Sequence, residues 1–98
     1  MDKEELMPAD EFCAHYEVEY TFIGSLVESG LIEITTIDQR NYIHTHQMSD
    51  IEKFIHMHYD LDINMEGIEA IAHLLQRIHE MQHEITFLKN RVTFLKQR

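Results

Sequence analysis

The 98-residue chain has one cysteine, one proline, three glycines and no tryptophan, and its 8 Lys and Arg are outnumbered by 18 Asp and Glu. Each shortage removes a class of function. A lone cysteine, Cys13, cannot close an internal disulfide framework or build a cysteine-rich zinc module. Gly24, Gly30 and Gly67 lie too far apart to form a glycine-rich loop for a phosphate. No apolar run approaches the length of a membrane span. The opening Met1–Leu6 is charged and lacks an apolar stretch, so no secretory leader is expected and the cytoplasm is the expected compartment. That opening is expected to fray, although Leu6-Met7 could add a short strand.

The shortage of cations is uneven. Residues 1–37 carry nine acids and one base, and residues 38–62 carry five acids and two bases. Residues 63–98 carry four acids and five bases, with a basic tip of Lys89, Arg91, Lys96 and Arg98. An acidic body disfavours nucleic acid and favours a basic protein surface. The 44% hydrophobic content suits a folded domain rather than a disordered one. A chain of this length makes one small domain with room for one extension, and its core is marginal without an added interface.

Pro8 suits the first position of a helix, and Asp10 and Glu11 follow where a helix dipole favours acids. A first helix is expected over Pro8–His15, burying Phe12 and Cys13. A second is expected over Glu19–Ser29, with Tyr20, Ile23, Leu26 and Val27 at helical spacing and Gly30 supplying a left-handed cap. The β-branched run Leu31–Ile37 reads as a strand. It returns through a polar turn, Asp38–Asn41, into Tyr42–His44 as a hairpin whose turn is longer than two residues. A third helix is expected over Thr45–Tyr59, with Met48, Ile51, Phe54, Ile55 and Tyr59 apolar. Asn64 is a good N-cap for a fourth helix reaching Lys96.

Residues 8–68 thus read as a winged helix-turn-helix of mainly α class, with a small β-hairpin wing. The chain divides into a helix-turn-helix-like interaction domain over 1–63 and a long dimerisation helix over 64–98. The contradiction lies in the second helix, which should enter a DNA groove. Its only charges are Glu19 and Glu28. A groove reader must neutralise phosphates, and this helix has nothing to do it with.

Along the fourth helix, Ile71, Leu74, Ile78, Met81, Ile85, Leu88, Val92 and Leu95 recur at alternating spacings of three and four. This is a strict heptad, with a period of 3.5 rather than 3.6. A seam that long outruns a body this small, so its outer half needs a partner helix, and a two-fold homodimer is expected. The Ile/Leu pattern favours a parallel pair, and the flanking residues do not settle the orientation. Phe87 and Phe94 lie off the seam.

Several runs carry a resemblance. Ala9-Asp10-Glu11-Phe12-Cys13, Glu28-Ser29-Gly30-Leu31-Ile32-Glu33, Ile51-Glu52-Lys53 and Leu61-Asp62-Ile63-Asn64-Met65-Glu66-Gly67-Ile68-Glu69-Ala70-Ile71 resemble the MerR-type helix-turn-helix proteins. Within these they are most similar to the chaperone-modulator CbpM-like branch. The resemblance implies a bacterial protein that binds the J-domain of a DnaJ/CbpA-type co-chaperone and holds it away from Hsp70 (DnaK). It also implies an antiparallel pairing of the long helix. DNA-binding MerR proteins usually carry an Arg-Tyr pair in mid-reader helix, where this chain has Gly24-Ser25. Their wing carries several arginines, where this one keeps Arg40. Direct DNA binding is therefore not expected, and a MerR-type DNA-binding transcriptional regulator is the alternative.

The expected partner-binding residues are the acids Asp10, Glu11, Glu17, Glu19 and Glu28, with Tyr20 and Phe22 exposed beside them. The eight histidines invite a metal reading through His44/His46, His56/His58 and His79/His83. No cysteine or carboxylate completes a third and fourth ligand, so no metal site and no cofactor are expected. Cys13 and His15 are two apart on a helix and point to different faces, which argues against a nucleophile and its base. Nothing in the sequence supports an enzyme.

Overall fold

A computed structural model describes residues 5–97 of the chain. The expectations for residues 1–4 and for Arg98 lie outside them. Leu6–Pro8 form strand β1, Ala9–Tyr16 helix α1, Tyr20–Glu28 helix α2, Ile34–Ile37 strand β2, Arg40–His44 strand β3, Met48–Ile55 helix α3 and Met65–Lys96 helix α4. The architecture is mainly α, with a small antiparallel sheet and a long C-terminal helix, as the sequence predicts.

Pro8 is not the first residue of α1. It ends β1 and serves as the N-cap position, with extended ψ 132. A residue without an N–H fits an edge strand, where that donor has no ladder partner. Leu6 and Met7 do form a strand, and the sheet order is β1-β3-β2. Ile43 of β3 lies opposite Met7 on one side and Ile34 on the other, and it is fully buried.

The wing turn is shorter than the sequence suggests. Ile37 pairs with Arg40, so only Asp38 and Gln39 make the turn, both at positive φ (51° and 66°). Two left-handed residues twist the chain in the sense that matches the flanking strands, and Asp tolerates that region. Arg40 and Asn41 then belong to β3, where the Thr36 hydroxyl contacts Asn41 Oδ1 at 2.8 Å. Leu31–Glu33 stay outside the strand: the Leu31 amide closes the end of α2, and Glu33 N–H donates to Gln47 Oε1 at 2.9 Å. Leu31 N–H bonds to Leu26 carbonyl and Gly30 N–H to Val27 carbonyl, a Schellman closure with Gly30 at φ 77°.

The third helix is not uniform. A 3-10 turn over Thr45–Gln47 precedes α3, and a π-helical turn over His56–Asp60 follows it. In that turn Leu61 N–H reaches back five residues to His56 carbonyl at 3.1 Å. Asn64 caps α4, its side-chain oxygen accepting from Gly67 N–H at 2.8 Å.

The core comprises Ala9, Phe12, Cys13, Phe22, Ile23, Leu26, Ile32, Ile43, Ile51, Phe54, Met57 and Ile68. Ile68 is wholly buried, with Ile71 and Ala72 packed against the same cluster, so the first turns of α4 are part of the body. From His73 to Lys96 every residue of the helix is exposed. The inward face of α2 is Phe22, Ile23 and Leu26, not Tyr20, which is 44% exposed. Tyr59, expected inward, also lies outward.

Candidate functional site

The helix-turn-helix owes its shape to two capped ends. At the end of α1, Glu17 takes the left-handed conformation (φ 57°, ψ 45°), and Val18 N–H closes onto Cys13 carbonyl at 3.0 Å. A glutamate there carries the steric cost that glycine avoids. The start of α2 has no side-chain cap from its own N-cap residue, Glu19. Glu19 N–H instead donates to the Tyr59 hydroxyl at 3.0 Å, so the π turn supplies the missing acceptor.

That turn also carries His58, whose ring stacks on Phe22 at 4.7 Å, with its Nδ1 3.1 Å from Ile63 carbonyl. Phe22 is therefore corrected from an exposed contact to a buried one. An aromatic ring on α2 gains more from the core and from the His58 stack than from solvent. The outward face of α2 holds Tyr20, Thr21, Gly24 and Glu28, and Glu17 and Glu19 are exposed at its start. No cation lies on this helix.

Asp10 and Glu11, also exposed, are not free acids. Arg40 of the wing lies 3.2 Å from Asp10 and 3.3 Å from Glu11, and its guanidinium sits 5.9 Å from the Tyr42 ring centre. A second tie joins wing to reader helix: Asn41 donates to the Tyr20 hydroxyl at 2.7 Å. The single wing arginine is thus turned onto the acids of α1. These exposed ion pairs contribute little stability, roughly 0–1 kcal/mol. Their consequence is one of charge placement. Of the five acids expected to meet a partner, Glu17, Glu19 and Glu28 have no basic partner among the described residues.

The histidines are largely occupied by the fold. His56 pairs with Asp60 at 2.7 Å, His58 stacks on Phe22, and His44 lies 2.8 Å from the Thr35 hydroxyl. Among the described residues no group of three or more His, Cys, Asp or Glu is placed to hold a metal. Cys13 is buried, and burial together with the nearby Asp10 carboxylate pushes its thiol above the usual range. The Tyr16 hydroxyl donates to Glu52, which pushes the phenol up.

The heptad residues expected to pair fall on one side of a protruding helix. Leu74, Ile78, Met81, Ile85, Leu88, Val92 and Leu95 are 49–62% exposed, while Ile71 is half-buried at the root. Between the body and the first half of α4 lies a crevice of about 650 Å³. Its walls are Leu31, Phe54 and Met57 on one side and Ala72, Leu75 and Ile78 on the other.

Residues 7–90 match the family model described as MerR HTH family regulatory protein. The chain belongs to this MerR family. No characterised protein and no solved structure matches it. Among the described residues no helix is long and apolar enough to cross a membrane. As a MerR-family chain it keeps the two helices, the wing and the long helix, while the reader helix itself carries only negative charge.

Sequence reasoning missed the contribution of Tyr59 and His58. Both fall in a segment that reads as plain helix, and nothing in the pattern announces a π turn there.

Proposed function

We propose that this MerR-family chain is a protein-binding modulator. It docks on the J-domain of a DnaJ/CbpA-type co-chaperone and keeps that domain from its Hsp70 (DnaK) partner, working in the cytoplasm as a homodimer joined through α4. The observation that carries the reading is the outward face of α2, with Glu19 and Glu28 exposed, Glu17 beside them and no cation on the helix. Opposite charge on two docking faces steers encounter and excludes wrong partners, so a basic helical surface is the complement. The resemblance to the CbpM-like branch points to the J-domain as the owner of that surface. Tyr20 adds an exposed ring at the start of the face, and aromatic anchors concentrate binding energy.

Titration against a purified J-domain tests the proposal. Binding at micromolar concentration that weakens with salt supports it. So does loss of binding in Glu19→Lys and Glu28→Lys chains that remain folded. No binding at low salt rejects it.

Family membership itself favours a second reading, a DNA-binding transcriptional regulator. The cations available to it are Arg40, which is paired with Asp10 and Glu11, and the tip of α4. A gel shift with a steep negative dependence of affinity on salt would establish that reading instead.

A further inference from the structure

The wing sheet has two edges, and they differ. In an antiparallel ladder the direction of hydrogen bonding alternates residue by residue. Thr45 N–H donates to Glu5 carbonyl at 2.9 Å, so Ile43 and Met7, two residues along, also bond across β3 and β1. Tyr42 and Arg40 then point the other way, to β2, where they pair with Thr35 and Ile37. The remaining groups are turned outward: those of Leu6 and Pro8 on the β1 edge, and those of Ile34 and Thr36 on the β2 edge. Pro8 has no N–H to offer, so the β1 edge is blunted. The β2 edge is not. Its strand, Ile34-Thr35-Thr36-Ile37, holds no proline and no charge, and its pairing with β3 runs without a bulge. The N–H and C=O of Ile34 and Thr36 have no hydrogen-bond partner among the described residues.

An edge left open in this way is a template for a further strand. Charge and shape select that strand. The only charged residues from Leu31 to Asp38 are Glu33 and Asp38, both exposed, one at each end of β2. The wing's cation, Arg40, is held by Asp10 and Glu11. Ile34 lies opposite the buried Ile43, so Thr35 and Ile37 face away from the core, with Ile37 45% exposed. A second copy of β2 is a poor occupant. Antiparallel pairing about a two-fold axis through the middle of β2 would set each Glu33 against the other copy's Asp38, between two acidic bodies.

We propose that the free edge of β2 is a strand-addition site for an extended peptide segment with an uncharged, β-branched middle and a basic residue at each end. The segment takes the outward N–H and C=O groups of Ile34 and Thr36. Its β-branched side chains lie beside Thr35 and Ile37, and its cations meet Glu33 and Asp38. This goes beyond the docking proposed for α2, stands on a different surface and does not depend on it.

The probe is the end-blocked peptide Lys-Val-Thr-Val-Thr-Lys, titrated at low salt into the isotope-labelled full chain and followed by amide NMR. The Ile34 and Thr36 amides should shift and exchange more slowly with solvent, and the peptide with Glu at both ends should bind about tenfold more weakly. Thr36→Pro removes one outward N–H without touching the ladder to β3, and should weaken binding by about tenfold. Two proline peptides, Lys-Val-Pro-Val-Thr-Lys and Lys-Val-Thr-Pro-Thr-Lys, ask the same question with the protein unaltered. Adjacent residues of a strand point their N–H groups to opposite edges, so one of the two should lose about tenfold in affinity. Equal affinity for both proline peptides overturns the inference, as does unchanged binding to a folded Thr36→Pro chain. No binding at millimolar concentration overturns it too. Shifts confined to Glu17, Glu19 and Glu28, with Ile34 and Thr36 unmoved, mean that the cations adhere to the α2 face, which also overturns it. Slow exchange of the Ile34 and Thr36 amides in the free chain, lost on dilution, gives the edge to a second copy and refutes the basic segment.

Discussion

Glu17→Gly should make this protein more stable and a poorer binder at once. Glu17 sits at φ 57° and ψ 45°, and no hydrogen bond or ion pair of its side chain is present among the described residues. An L-residue in the left-handed region costs roughly 1–2 kcal/mol. Glycine removes that cost but gives back roughly 0.5–1 kcal/mol through its freer unfolded chain. The expected net gain is about 0.5–1 kcal/mol, or an increase in Tm of about 3–6 °C for a domain of this size. Thermal and urea unfolding followed by circular dichroism measure it. Binding to the J-domain should weaken in parallel, because the substitution deletes one of the three unpaired acids beside the reader helix. Glu17→Ala separates the two effects: it loses the charge but keeps the Cβ, so it should bind poorly with no gain in stability. Strain kept at a functional position is the physical logic. If Glu17→Gly is no more stable than wild type, the backbone argument fails. If it is more stable and binds the J-domain equally well, Glu17 is no contact.

Three further outcomes follow from the same structure. Gly24 lies in mid-helix on the exposed face of α2 with open space where a Cβ would sit, so Gly24→Ala should stabilise by about 0.5–1 kcal/mol in urea unfolding. Ile85→Glu is 52% exposed in the protomer and should leave the helix content unchanged. Yet it should weaken a seam dimer at least a hundredfold, about 2.7 kcal/mol, as read by sedimentation, because each copy then buries an unpaired carboxylate. Cys13 should react slowly with iodoacetamide at pH 8 in the native chain and rapidly in urea. Burial both hides the thiol and keeps it protonated, and only the thiolate is a nucleophile.

The helix-turn-helix, the wing and α4 were legible in the sequence because each rests on a local signal. Gly30 stops α2, the β-branched run makes the hairpin, and Asn64 starts a helix that no breaker interrupts. The heptad was legible as a pattern, and the structure places its outer positions in solvent. What escaped was set by packing over distance. Phe22 and Tyr20 are equally plausible inward residues from spacing alone, and the choice is made by His58, which is thirty-six positions away from Phe22 in the chain and arrives only with the π turn. The pairing of Arg40 with Asp10 and Glu11 was likewise hidden, since it joins the wing to α1 across about thirty residues. The two-residue wing turn was missed because Asp38-Gln39 lacks the glycine that usually announces one.

The π turn makes the reader helix and the root of the long helix parts of one lever. Tyr59 accepts from the amide of Glu19, the N-cap of α2, His58 contacts both Phe22 and the carbonyl of Ile63, and Ile63 is the last step before the Asn64 cap of α4. A torque applied at the far end of the long helix is therefore delivered, through three short links, to the start of the reader helix.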